Sequence, residues 1–330
     1  MQKRQLGNQG LTVSSVGLGC MGMSEFYGAH NQQDSFSTLH QAIDSGVTFW
    51  DTSDIYGPKT NELLGDFFKQ NDIARSAVTL ATKFGIMRDD NSNFLGFNGR
   101  PEYVKQACDA SLQRLGIECI DLYYQHRMDP NVPIEDTVGA MADLVQAGKV
   151  RYLGLSEAGS ETLKRACAVH PISALQSEYS SWSRDIEDDI LPTCNLLGVG
   201  FVAYSPLGRG FLTGTIKSRS DLEVGDWRLN NPRFSEQNFA NNLLLVEEIK
   251  CISASLDCTP AQLALAWIAH QADNYVSIPG TRNPSRVIEN AKAMSLMIST
   301  KQWADIAKRI AKHEVQGLRY PAESMAVLGR

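Results

Sequence analysis

Eight short apolar or β-branched segments, each followed by an amphipathic helical pattern, run along this chain of 330 residues. Several segments lack polar alternation, as expected for strands whose two faces are both buried. Eight such units predict a closed (β/α)8 barrel, an α/β fold of the TIM-barrel type, rather than an open sheet. The predicted strands span residues 14–19, 47–51, 78–83, 120–125, 150–156, 173–178, 199–205 and 275–280.

The helices between these segments have readable ends. Pro101 suits a first helical position and Gly116 suits a stop, which predicts a helix over residues 101–116. Thr259-Pro260 and Asn283-Pro284 each combine an N-cap residue with a first-turn proline. Further helices are predicted over residues 34–45, 60–69, 134–147, 160–169 and 186–196.

Three segments fall outside the repeat. Residues 3–13 predict a β-hairpin that closes the bottom of the barrel. Residues 208–236 are too long for a simple connection and are a candidate lid. The tail begins with a predicted extra helix over residues 301–313. Nothing in the sequence marks a second domain, so residues 1–330 are expected to form one barrel domain.

Composition limits the function classes. The chain has no apolar run near the ~18 residues that a membrane span needs, and its first ten residues lack the apolar region of a secretory signal, so a cytoplasmic protein is expected. A net charge of −6 without a basic cluster argues against nucleic-acid binding. The seven cysteines and six histidines show no metal-ligand spacing, so no metal is expected. A small-molecule substrate remains the favoured partner.

Four residues with acid–base or charge-pairing chemistry lie at three predicted strand ends. Asp51 and Tyr56 belong to the run WDTSDIYG, Lys83 closes AVTLATK, and His126 closes CIDLYYQH. The C-terminal ends of barrel strands share one face, so one catalytic cluster is expected. A phenol with a pKa near ~10 needs a nearby cation to act as an acid at neutral pH, and Lys83, held by Asp51, is placed to supply it. Alone, each residue also fits a structural role, and only the combination favours catalysis.

With these motifs the chain resembles the aldo-keto reductase superfamily over nearly its whole length. The matching stretches are GVTFWDTSDIYG (46–57), LATK (80–83), YYQH (123–126), GKVRYLGLS (148–156), AYSPLGRG (203–210) and IPGTRNPSRVIEN (278–290). YYQHRMD and GLSEA are most similar to the bacterial, yeast and plant branch that includes pyridoxal and perakine reductases. The resemblance implies hydride transfer from a reduced nicotinamide to an aldehyde or ketone. It makes Tyr56 the general acid and His126 the residue that orients the carbonyl oxygen, with Lys83 and Asp51 tuning Tyr56.

The resemblance also implies a dinucleotide site at the barrel mouth, and no G-x-G-x-x-G follows the first strand. Ser156 and Gln176 would hold the nicotinamide carboxamide, and Tyr204 would stack on the ring. Arg282 and Arg286 would bind a 2′-phosphate, which favours NADPH over NADH, unless they are only solvated charges at a helix start. The other implied cofactor contacts are Gly19, Met21, Gly22, Asp51, Ser205, Leu207, Gly208, Gly210, Ile278, Gly280, Thr281, Glu289 and Asn290.

The chain departs from the common superfamily pattern at two positions. Glu157 stands where many members have asparagine, which affects a contact to the nicotinamide carboxamide. Gly280 stands where many members have lysine, which removes one phosphate cation. Arg282 is placed to compensate, and NADH remains the less favoured alternative cofactor.

Aromatic residues in the upper loops bear on the substrate pocket. Six aromatic residues in or near the upper loops are expected either to form an apolar pocket wall or to pack in the barrel, namely Phe26, Tyr27, Trp50, Phe84, Trp182 and Trp227.

The rival function is that of a nicotinamide-sensing regulatory subunit like the β-subunits of voltage-gated potassium channels, which share the fold and the four catalytic residues. No long amino-terminal inactivation segment precedes the hairpin, which favours the enzyme. The oligomeric state stays open.

Overall fold

The computed structural model describes residues 1–23, 31–71, 74–89, 91 and 93–329. Two of the candidate pocket aromatics, Phe26 and Tyr27, lie outside these ranges. In chain order, the strands are β1 (Lys3–Leu6), β2 (Leu11–Ser14), β3 (Leu18–Gly19), β4 (Phe49–Asp51), β5 (Thr79–Phe84), β6 (Ile86–Arg88), β7 (Phe94–Phe97), β8 (Ile120–Gln125), β9 (Val150–Ser156), β10 (Ala174–Glu178), β11 (Gly200–Tyr204) and β12 (Tyr275–Ser277).

Eight of these strands form one parallel sheet, in the order β3, β4, β5, β8, β9, β10, β11 and β12. Parallel bridges from Val16 to Ser277 and from Gly19 to Gly280 join its first and last strands. The backbone N–H of Gly17 also donates to the Ser277 carbonyl at 2.8 Å. The sheet therefore closes on itself, and the predicted (β/α)8 barrel is confirmed.

The amino-terminal hairpin closes the bottom of this barrel, as predicted. Strands β1 and β2 pair antiparallel, and Leu6 and Leu11 are buried in the same apolar cluster as the barrel residues Phe49 and Val202. The fit is close, because a Cβ built on Gly200 would lie 2.7 Å from the Leu6 Cα. Chemistry is thereby confined to the opposite end of the barrel.

The helices are α1 (Gln32–Asp44), α2 (Gly57–Gln70), α3 (Ala74–Ala77), α4 (Pro101–Leu115), α5 (Ile134–Gln146), α6 (Ser160–Val169), α7 (Ile190–Leu197), α8 (Glu236–Ser255), α9 (Pro260–Gln271), α10 (Pro284–Lys292), α11 (Thr300–Ile310) and α12 (Ala322–Met325). Their predicted caps are confirmed. Gly116 ends α4 in the left-handed region, Thr259 forms a capping box at α9, and the Asn283 side chain accepts from the Ser285 N–H at 2.9 Å. Of the helices in the described ranges, none has both the length and the apolar character that a membrane crossing needs.

Helix α8, the longest, was not predicted. Its buried face includes Asn242, whose amide donates to the carbonyls of Arg233 and Gln316, while Leu244 on another face is 57% exposed. A polar residue inside and an apolar residue outside blur the amphipathic stripe on which the sequence prediction depends. The predicted extra carboxy-terminal helix corresponds to α11 and is confirmed.

Two further segments stand over the barrel mouth. The predicted lid, residues 208–236, forms short 3₁₀ turns, and its buried Phe211 and Phe234 pack together at 5.3 Å between ring centroids. Strands β6 and β7 form a second hairpin, which the sequence analysis missed. Both segments contribute residues to the cavity described below.

Candidate active site

The predicted acid–base cluster is assembled at the barrel mouth around a buried lysine. Lys83 in β5 is fully buried, and its Nζ donates to a carboxylate oxygen of Asp51 at the end of β4. The same Nζ donates to the carbonyl of Thr52 at 3.0 Å and lies 5.2 Å from the ring centroid of Tyr56. A hydrogen bond joins Lys83 to the Tyr56 hydroxyl. The other oxygen of Asp51 accepts from the Gln176 amide at 2.8 Å.

The pKa values of this cluster follow from burial and pairing. Burial raises the pKa of Tyr56, Asp51 raises it further, and Lys83 acts in the opposite direction without reversing the result. The net shift is upward, which differs from the expectation of an acid tuned toward neutrality. Burial opposes the Lys83 charge, but Asp51 and Tyr56 outweigh it and raise the pKa of Lys83. At neutral pH, Tyr56 is therefore a protonated phenol beside a permanent cation.

His126 follows β8 and meets Tyr56 edge-on, with 5.8 Å between ring centroids. Burial lowers the pKa of His126 well below its usual value, and the charges of Arg127 and Lys83 lower it further. Its Nδ1 lies 3.0 Å from the hydroxyl of Ser53, which the sequence analysis did not single out. If Ser53 donates to Nδ1, the neutral imidazole keeps its proton on Nε2 and is a hydrogen-bond donor.

A cavity of about 1330 Å³ opens beside these residues. Most residues predicted to bind cofactor or substrate lie in its wall, which extends from the catalytic cluster to the first turn of α10. They are Gly19, Met21, Gly22, Asp51, Tyr56, His126, Ser156, Gln176, Tyr204, Ser205, Leu207, Gly210, Ile278, Gly280, Thr281, Arg282, Arg286, Glu289 and Asn290. Of the predicted catalytic and cofactor-binding residues, two are outside the wall. Lys83 lies behind Tyr56, and a Cβ on Gly208 would lie 2.7 Å from the Trp182 indole.

Of the two alternatives for the six aromatic residues, packing rather than a pocket wall holds for Trp50, Phe84 and Trp182. Trp50 stacks on Phe68 in one core cluster, and Phe84 stacks on Tyr123 in another. Trp182 is buried against Phe211, with 4.9 Å between ring centroids. Trp50 and Phe84 pack in the core clusters, and Trp182 packs against the segment that contains Phe211. No local sequence pattern distinguishes such residues from residues that line the pocket. Aromatic residues that do line the cavity include Phe94 and Phe97 of β7, together with Tyr320.

The carboxy-terminal segment, residues 311–329, folds back to the barrel mouth. The Tyr320 hydroxyl lies 3.0 Å from that of Tyr204, and Ser324, Val327 and Leu328 also line the cavity. No role in the site was predicted for the part of the tail that follows the helix. Its position depends on contacts with residues that are distant in sequence, such as Asn242, Tyr204 and Glu157, so no local signal marks it.

Glu157 holds this segment at the barrel mouth through an ion pair and a backbone hydrogen bond. Arg319 donates to both Glu157 carboxylate oxygens, at 2.7 and 2.8 Å, and the Gly329 N–H donates to the Glu157 carbonyl at 3.0 Å. Burial would raise the pKa of Glu157, but Arg319 holds it below its usual value. Glu157 also has a left-handed φ of 58° and accepts the N–H of Glu178 at 3.0 Å. The departure from asparagine is therefore explained by an ion pair to the tail.

The sequence of residues 15–311 matches the Aldo/keto reductase family. The chain belongs to that family. Its structure is similar to a glycerol dehydrogenase from Gluconobacter oxydans, with a TM-score of 0.86 and 25% identity over 96% of this chain and 97% of the other. It is also similar to a thermostable aldo-keto reductase in complex with the inhibitor epalrestat, with a TM-score of 0.75 and 28% identity over 94% and 100% of the two chains. An aldo/keto reductase is an oxidoreductase that acts on carbonyl groups, generally with a nicotinamide cofactor.

The tail contact of this aldo/keto reductase predicts a large effect for one substitution. Arg319→Met leaves the Glu157 carboxylate buried without its partner, a change that costs ~3–5 kcal/mol in comparable pairs. We expect a lower melting temperature and faster amide hydrogen exchange over residues 311–329.

A matched control for this substitution is available. Arg165 binds both oxygens of Glu135 at 2.7 and 2.6 Å, but both side chains are substantially exposed. Exposed pairs contribute at most ~1 kcal/mol, so Arg165→Met should change little. Equal effects of the two substitutions would show that the tail contact has no special role.

Proposed function

We propose that this chain is an NADPH-dependent reductase of aldehydes and ketones, with Tyr56 as the proton donor. The observation that carries the proposal is the hydrogen-bonded arrangement in which Lys83 joins Asp51 to Tyr56. Tyr56 lines a cavity large enough for a dinucleotide and a substrate. A lysine that is fully buried with its carboxylate partner supports proton transfer at Tyr56, which lines the cavity.

Two parts of the cavity wall support the binding of a nicotinamide dinucleotide. Ser205, Arg209 and Gly210 have left-handed φ values of 50°, 59° and 91°, and Gly210, which has no side chain, allows a phosphate to approach the backbone closely. Helix α10, nine residues long, begins at the cavity with the Asn283 cap, and helix N-termini bind anions. When bound there, NADPH would supply the hydride that the protein side chains lack.

Arg282 and Arg286 support NADPH as the favoured cofactor. Both side chains line the cavity next to the α10 N-terminus, where Arg282 also donates to the Gly22 carbonyl at 3.3 Å. Two guanidinium groups suit a phosphomonoester better than a ribose hydroxyl, because their N–H donors pair with its charged oxygens. Gly280 contributes no cation, so these arginines carry the expected preference.

The proton step follows from the cluster geometry. As the carbonyl is reduced, negative charge develops on its oxygen, and the Tyr56 hydroxyl transfers its proton there. The resulting phenolate is stabilised by Lys83, whose own charge is balanced by Asp51. Gln176 keeps the carboxylate in place through its 2.8 Å hydrogen bond.

His126 has a separate task. Its neutral ring, oriented by Ser53, directs the Nε2 proton toward the position of the carbonyl oxygen. A charged imidazolium would compete with Tyr56 as proton donor, and burial suppresses that form. The site therefore combines one proton donor with one neutral hydrogen-bond donor.

Tyr56→Phe tests the mechanism directly. Loss of the hydroxyl should lower kcat for aldehyde reduction by ~10²–10⁴-fold, since positioned proton donors contribute that much. The Kd for NADPH should change little. Tyr152→Phe removes a hydroxyl near the closed end of the barrel and serves as the control. Unchanged turnover in Tyr56→Phe would refute the mechanism, whereas tight NADPH binding with negligible turnover by the native protein would favour a regulatory subunit.

The pKa directions predict an unusual pH profile. Reduction needs protonated Tyr56, whose pKa is raised above the usual ~10, so activity should be lost only as pH rises beyond that range. The His126 pKa is well below ~6.5, so no titration should occur between about pH 6 and 9. The measurement is kcat/KM for a non-ionising aldehyde across that range. A step near pH 6.5 would show that His126 changes charge during catalysis.

Cofactor preference is tested by the ratio of kcat/KM for NADPH to that for NADH. Arg282→Met and Arg286→Met should each lower this ratio by about tenfold, since a hydrogen bond to a charged group contributes ~1.5–3 kcal/mol. Lys292→Met removes the same charge from the far end of α10 and should leave the ratio nearly unchanged. A ratio that is equally insensitive to all three substitutions would place the 2′-phosphate elsewhere or favour NADH.

A further inference from the structure

Arg127 is a cation at the catalytic end of the cavity that the proposed mechanism does not use. It directly follows His126, and its side chain lines the cavity. One nitrogen, Nη1, donates to the carbonyl of His126 at 2.7 Å and to the Ser156 hydroxyl at 3.1 Å. Two neutral acceptors therefore fix the guanidinium beside Tyr56 without neutralising it.

Three arginines near the mouth whose side chains are almost fully buried are paired with carboxylates. Arg209 and Arg233 both contact Glu178, at 2.7 and 3.3 Å, and Arg319 binds Glu157. In the ranges that the structure describes, Arg127 has no carboxylate oxygen within 4.0 Å. Its acidic neighbour Glu157 already gives both oxygens to Arg319. The positive charge of Arg127 is thus left for something that enters the cavity.

Among the residues that the structure describes, no further carboxylate pairs with this guanidinium. Besides Glu157, the groups that act on it electrostatically are phenols, and the raised pKa values of Tyr56 and Tyr204 keep those two neutral at pH 7. The acidic residues of the cavity wall are Asp51, Asp221, Glu289 and Glu323. The first is paired with Lys83, and none of the four forms an ion pair with Arg127.

The same region offers apolar surface. Phe94 and Phe97 line the cavity and pack edge-on at 5.2 Å, and Ile55 and Ile86 also line it. An apolar body can contact these side chains while a polar substituent reaches Arg127. Because Nη1 is already engaged, Nη2 and Nε are the donors left for a planar anion.

We infer that Arg127 forms a carboxylate subsite beside Tyr56, and that the substrates of this site are aldehydes or ketones whose apolar body carries a carboxylate. The inference rests on the proposed carbonyl reduction and specifies its substrate class. A guanidinium matches a carboxylate in geometry and charge, and the contact strengthens where water is partly excluded. Neutral carbonyl compounds gain nothing from this contact.

The test compares two benzaldehydes whose para substituent is either a charged carboxylate or its neutral methyl ester, 4-carboxybenzaldehyde and methyl 4-formylbenzoate. For the native protein with NADPH, kcat/KM should be about tenfold or more higher for the carboxylate, as one charge-assisted contact contributes ~1.5–3 kcal/mol. Arg127→Met should remove most of this ratio. Arg88→Met removes the same charge from the cavity wall on β6 and should reduce the ratio less.

Two further measurements keep the outcomes separate. Calorimetric titration of both aldehydes into the complex with NADP⁺ reports binding without turnover, and the native preference for the carboxylate should again vanish in Arg127→Met. Arg127→Lys keeps the charge but not the planar fork, so it should keep part of the ratio, and it replaces Arg127→Met if that variant fails to fold.

A native ratio near one, or a ratio unchanged in Arg127→Met, would overturn the carboxylate subsite while leaving carbonyl reduction intact. A loss of NADPH affinity in Arg127→Met without a change in the ratio would assign Arg127 to the cofactor and likewise overturn it. Charge-dependent binding without any turnover would instead support the subsite and refute the proposed reduction.

Discussion

The buried pair of Lys83 and Asp51 is the interaction on which the active site depends. Moving two charges out of water costs several kcal/mol per ion, and their attraction compensates only if the remaining polar atoms are also satisfied. Here the carbonyl of Thr52 and the amide of Gln176 complete the pair. Adjacent parallel strands β4 and β5 supply the two charges, so the barrel geometry itself sets their separation. In the proposed mechanism, this cation stabilises the phenolate that Tyr56 becomes when it gives up its proton.

The parts of this site that the sequence predicted are those that a strand end determines locally. In a closed parallel barrel, a residue at the C-terminal end of any strand reaches the same mouth, so counting strands was enough to group Asp51, Lys83 and His126. Helix α10 was predicted for a similar reason, because its Asn283-Pro284 start is encoded by neighbouring residues. Local chemistry and fold periodicity agree at these positions.

The parts that the sequence did not predict depend on distant contacts. Trp182 faces Phe211 rather than the cavity, and this choice is made by packing between segments about 30 residues apart. Helix α8 hides a polar residue because Asn242 binds the tail, which a helical wheel cannot show. The upward pKa shift of Tyr56 has the same origin, since burial is a property of the assembled mouth and not of the motif.

Glu157, which stands where many superfamily members have asparagine, affects both the position of the tail and the charge of the cavity. Both oxygens of its carboxylate accept from Arg319, so it holds the tail across the mouth and forms no ion pair with Arg127. The guanidinium of Arg127, which has no carboxylate partner among the described residues, then has two effects. It helps to keep His126 neutral, which preserves that residue as a hydrogen-bond donor. It also makes the interior of the cavity favourable to anions. A single acidic residue outside the catalytic cluster thereby contributes to the shape of the pocket and to the charge that it selects.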